Sequence, residues 1–278
     1  GLLRAAGAAL RAAVVLTALM LLTGCLGSGT SGTSGTGIPG TGDSAGNGYS
    51  GDGGSADGDT GSVVGSGRLT SRLISLSGIN SVVVEAGFVV RLDIGGSEQA
   101  RITMDDNLTD RVQATVTGGE LRLGLAPGSH VRNATLTAEV TVGQLDRLAT
   151  NGVSRVVLAS APAGPALDLI ATGTSEVTGP IRVDRLQATA SGTATLALSG
   201  QVKDLHLSGA GTSRLLLADL VVRNLDAVLS GTSHATVTVS DTLAAQTTGV
   251  SALRYRGTPR VTRAQTSGVS SIARDAFK

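Results

Sequence analysis

The chain has 278 residues, 41% hydrophobic and only 1% aromatic, with 40 Gly, a single Cys and no Trp. Without large rings, a core must be narrow and filled by small branched side chains. A formal net charge of +1, with arginines scattered singly, lacks the clustered basic face that nucleic acid requires, so nucleic acid is excluded as a partner.

Residues 1–24 read as an export signal and stand outside the folded unit. Arg4 and Arg11 supply the positive start, and Ala12 to Leu22 is an apolar run of eleven residues. That run is too short to cross a bilayer core of ~30 Å as a helix. It ends in Leu22-Thr23-Gly24-Cys25, which resembles the bacterial lipobox. The resemblance implies cleavage before Cys25 and a diacylglycerol on its thiol, giving a membrane partner through the lipid. Cys25 has no second cysteine with which to form an intramolecular disulfide. An ordinary signal followed by a chance cysteine is the alternative. Loss of Arg4 and Arg11 leaves 20 basic against 21 acidic residues. Leu26 stands where lipoproteins of two-membrane cells carry a retaining Asp, so the expected destination is the outer membrane.

Residues 25–67 comprise the lipidated Cys25 and a tract of mostly Gly, Ser, Thr and Asp that cannot bury enough apolar surface to fold. As a flexible coil it reaches on the order of 35 Å. Asp52, Asp57 and Asp59 lie in this tether, but their spacing does not follow the nonapeptide calcium roll. Residues 68–150 are strand-rich and less regular. Strands are expected at 82–84, 89–94, 101–103, 112–116, 121–125 and 136–142, as degenerate first coils or a cap that closes an open sheet end. Asp105-Asp106-Asn107-Leu108 reads as a turn whose side chains satisfy local backbone donors, with an ion site as the alternative.

From residue 151 to 278 one short turn recurs seven times, always a small polar or small residue, Gly and two small residues. Its glycines are Gly152, Gly173, Gly192, Gly209, Gly231, Gly249 and Gly268, spaced 21, 19, 17, 22, 18 and 19 apart. A period of about 20 residues marks stacked repeats. Between the turns apolar residues alternate, as in Leu167 and Leu169, Leu196 and Leu198, and Leu215 and Leu217. Period two is the strand period, and no helix fits within one repeat. The expected fold is therefore all-β, a β-solenoid of about 20-residue coils, with a β-sandwich as the competitor. Glycine at the corner takes the positive φ of a sharp turn.

Candidate chemistry is sparse. His130, His206 and His234 have no cysteine partner and no carboxylate at metal-ligand spacing, although His206 and His234 could meet in neighbouring coils. Asp204, Asp219, Asp226 and Asp241 fall at unequal offsets and define no glycosidase pair. Seven copies of Ser or Thr argue for a structural role rather than a nucleophile. No catalytic residue, metal or cofactor is expected.

Three features together resemble the bacterial head GIN domain family, described as "putative auto-transporter adhesins", over about Ile79 to Ile272. They are Asp106-Asn107-Leu108 after two early strands, the repeated glycine turns, and Tyr255-x-Gly257-x-Pro259 before the last repeat. The resemblance implies a right-handed parallel β-helix exposed in the cell envelope. The expected function is a lipid-anchored, non-enzymatic adhesin or surface-binding module whose ligand is a glycan or protein. The alternatives are a self-associating envelope scaffold and a polysaccharide-active β-helix enzyme.

Overall fold

The computed structural model describes residues 61–275. Nineteen strands and a single 3-10 turn make up the described residues. In chain order the first nine strands are β1 (Ser62–Val64), β2 (Leu69–Ser75), β3 (Ser81–Val84), β4 (Val89–Ile94), β5 (Gln99–Asp105), β6 (Val112–Thr117), β7 (Glu120–Leu125), β8 (His130–Arg132) and β9 (Leu136–Val142). The turn Asp106–Leu108 separates β5 from β6. Then follow β10 (Arg147–Thr150), β11 (Arg155–Leu158), β12 (Ala163–Ala171), β13 (Glu176–Ala190), β14 (Thr195–Gly209), β15 (Arg214–Leu229), β16 (His234–Gly249), β17 (Ala252–Arg256), β18 (Arg260–Gly268) and β19 (Ser271–Arg274).

From β10 onward each coil pairs in parallel with the next, giving a β-solenoid of about seven turns with a spacing of about 19 residues. Parallel register places like side chains over one another about 4.8 Å apart. Leu167, Leu186, Leu205, Leu225 and Leu243 form one inward ladder, each no more than 3% exposed. Val156, Val177, Leu196, Leu215, Ala235 and Leu253 form another, no more than 3% exposed. Aliphatic side chains fill most of this tube, with Phe88 as a fully buried ring beside the β3–β4 coil. The sandwich alternative is thereby excluded.

The amino-terminal end departs from simple winding. The β3–β4 coil pairs in parallel on one side with β10 and β11, and on the other with β7 and β9. After β4 the chain therefore runs outward to build β5 through β9, then returns past that coil to start β10. Antiparallel strands complete the end: β6 flanks β7, while β5 flanks β9 and β2 flanks β5. Residues 68–150 thus hold two regular coils and a cap of antiparallel strands. The boundary expected between residues 150 and 151 falls inside the coil made by β10 and β11.

Every one of the six early strands expected from sequence coincides with an observed strand. One turn glycine needs correction. Gly211, with φ +71°, stacks on Gly192 and under Gly231, whereas Gly209 ends β14 at an inward position without positive φ. The true turn spacings around it are 19 and 20 residues rather than 17 and 22. The other six named glycines all have φ between +73° and +79°. At Gly192 an added Cβ would lie 2.7 Å from the Gly173 carbonyl oxygen, so the corner also needs glycine for close stacking.

Candidate functional site

Two outward rows on one face of the tube carry a cluster of polar side chains. Ala166, Arg185, Asp204, Asn224, Thr242 and Arg260 are successive neighbours in one row, immediately before the inward Leu ladder along each strand. Asp168, Gln187, His206, Asp226, Ala244 and Arg263 form the second. Because side chains alternate along a strand, the rows stand about 6–7 Å apart with the backbone between them as floor.

Short side chains at Thr242 and Ala244 open a groove of about 300 Å³ between these rows, bordered by Arg185, Asp204, His206, Asn224, Asp226 and Arg263. Arg263 reaches back across Ala244, and its guanidinium lies 2.7 Å from Asp226. His206 approaches the same carboxylate at 3.9 Å. In the other row Asn224 donates to Asp204 at 2.9 Å, and Thr242 donates to Asn224 at 2.7 Å. Both acidic residues therefore have partners inside the groove. Arg185 and Arg260, by contrast, have no carboxylate within ion-pair distance among the described residues.

The histidines do not converge. His206 lies in the groove, His130 is exposed on β8, and His234 sits on another face with Nδ1 3.0 Å from the Thr232 carbonyl. Of the four aspartates considered for catalysis, Asp204 and Asp226 share the groove while Asp241 pairs with Arg223 at 3.2 Å elsewhere. Among the described residues no three His, Cys, Asp or Glu side chains gather at metal-binding distance. The repeated serines are turn ties. Ser154, Ser233, Ser251 and Ser270 each donate to the carbonyl three residues earlier at 2.8–2.9 Å. Cys25 and Asp52, Asp57 and Asp59 lie outside the described residues.

Asp105-Asp106-Asn107 acts over a longer range than a local turn. Buried Asp105 accepts from the amides of Gly67 and Thr135, both at 2.7 Å. Asn107 accepts from the Ser66 amide and donates to the Val64 carbonyl. Asp106 accepts from the Ser66 hydroxyl and pairs with Arg68 at 2.8 Å. The Ser66 hydrogen bond holds the Asp106 carboxyl below its ordinary value, against some desolvation and with help from Arg68. These three residues clasp the incoming segment 64–68 to the cap. Sequence spacing could not show this, because the partners lie 30 to 43 residues away. At the far end Tyr255 packs against the core and Gly257 takes φ +95° in the turn before Pro259.

A parallel β-solenoid with an antiparallel cap defines the chain as a β-solenoid repeat protein. The family described as "Putative auto-transporter adhesin, head GIN domain" matches residues 79–259, and the chain belongs to this family. Three solved structures share the fold. A "putative adhesin" from Bacteroides fragilis is 20% identical, with a TM-score of 0.72 over 77% of this chain and 100% of that one. A "putative adhesin" from Parabacteroides merdae is 18% identical, with a TM-score of 0.60 over 78% and 100%. A "putative lipid binding protein" from Parabacteroides distasonis is 17% identical, with a TM-score of 0.62 over 77% and 99%. Among curated proteins, none matches the chain.

Proposed function

We propose that the chain is an adhesin-like module of the cell envelope, non-enzymatic and held to the membrane by lipid on Cys25, probing its surroundings through the faces of its solenoid. The observation that carries this reading is the family match over most of the coiled region, joined to a tube whose outward rows are regular and polar. Repeat stacking gives an extended, rigid surface suited to many weak contacts. Lipobox-like Leu22-Thr23-Gly24-Cys25 and the Gly/Ser-rich tract after it supply an anchor and a reach, and Leu26 favours the outer membrane. In the groove, Asp204 and Asp226 are engaged by Asn224 and Arg263 as parts of a binding surface rather than as an acid and base facing a bond.

The reading is tested with cells making the full chain and with cells making Cys25→Ala. Wild-type protein is expected in the membrane fraction with a diacylglycerol mass at Cys25, and these cells are expected to adhere to host cells, matrix or glycan surfaces more than the variant. Equal fractionation and equal adhesion of the two strains would overturn it.

A further inference from the structure

Along the first outward row, Arg185 and Arg260 have no carboxylate at ion-pair distance among the described residues. Resting on the surface-binding reading above, we propose that the groove between the two outward rows is the ligand site and that its ligand is an acidic polysaccharide lying along the tube axis. Asp204 and Asp226 are each satisfied from within, by Asn224 and by Arg263. Arg185 borders the groove at one end, Arg260 follows Thr242 one coil beyond its lining, and neither is paired with a described carboxylate. Arginine presents a planar fork that matches a carboxylate in two parallel hydrogen bonds. An anionic group would give each of the two arginines a partner.

Between the ends, donors and acceptors alternate. Asp204 offers carboxylate oxygens, while Asn224 and His206 present polar atoms that can both donate and accept. Such a set suits hydroxyls, which need both roles satisfied. The groove runs across the strands, so chemical groups repeat with the coil rise of about 4.8 Å. A linear sugar chain repeats at nearly the same step, which lets successive rings meet successive coils. The described aromatic residues Phe88 and Tyr255 lie in or against the core and none lines the groove, so recognition rests on hydrogen bonds and charge and falls as salt rises.

The full chain is titrated with polygalacturonate, with dextran sulfate and with uncharged dextran, alongside Arg185→Gln/Arg260→Gln and a control, Arg254→Gln, on a different face. Saturable binding of polygalacturonate without binding of dextran is expected. The double variant is expected to weaken it at least tenfold and the control to leave it unchanged. Dextran sulfate bound through the same two arginines would also support an anionic saccharide, with sulfate as the charged group. Equal affinity for dextran, an equal loss in Arg254→Gln, or binding of a protein surface alone would overturn the proposal. If Arg185→Gln/Arg260→Gln cells still adhere as wild type does, the groove assignment fails while the adhesin-like reading stands.

Discussion

At the level of single residues, the turn serines divide into satisfied and unsatisfied positions. Ser233 and Ser251 tie their own turns, and Ser175 accepts from Thr150 at 3.0 Å. Ser213 is fully buried at the same ladder position, and its hydroxyl has no hydrogen-bond partner among the described residues. The coil before it already places Ala194 there. Burying an unpaired hydroxyl costs about 1–3 kcal/mol, so Ser213→Ala is expected to be neutral or stabilising by up to about 1 kcal/mol. Urea denaturation checks this, and a clear loss of stability would mean the hydroxyl has a role in the turn. Gly209 shows why that turn misled the sequence reading. Ser208-Gly209-Ala210-Gly211 contains two glycines, and only stacking distinguishes the corner from the core. A Cβ at Gly209 would meet Leu229 at 2.8 Å, so this glycine makes room for a neighbouring leucine rather than bending the chain.

Among the elements, the two ends of the sheet are handled differently. The amino-terminal end folds back into antiparallel β2, β5 and β6, which stop the parallel ladder. At the other end all nine residues of β18 are exposed, including the inward-aligned Val261. The cap depends on its clasp. Asp105→Ala removes the acceptor of two backbone donors and is expected to cost on the order of 2 kcal/mol, with earlier urea unfolding of the segment 62–75 than of β13–β16 in hydrogen exchange. Uniform loss of protection along the tube would contradict a local clasp. Asp106 adds a pH dependence. Its carboxyl is held below the ordinary value of 3.8, so its contribution is complete above that pH and is lost as pH falls through the lower folded value. The order of the early coils was not legible in sequence, since local alternation reveals a strand but not which neighbour it pairs with. The strand positions themselves were legible, because inward Val90 and Leu92 alternate with exposed Val89 and Arg91, while Val82, Val83 and Val84 form a β-branched run.

For the whole molecule, repetition made the fold readable. One glycine corner recurring every 19 residues or so, with aliphatic residues at period two between corners, admits few architectures other than stacked β-coils. The groove was far less readable, because it arises from residues 18 to 37 apart whose proximity follows only from the register. Asp204, Asp226 and His206 were visible as polar residues, yet nothing in their spacing marked Thr242 and Ala244 as the small side chains that open the space. An adhesin-like role requires the tube to stand outside the cell, and antibody accessibility of the solenoid on intact cells, compared with permeabilised ones, tests this most directly. Equal labelling before and after permeabilisation is the result expected. Labelling that emerges only after permeabilisation would contradict the surface role and leave a protein that works within the envelope.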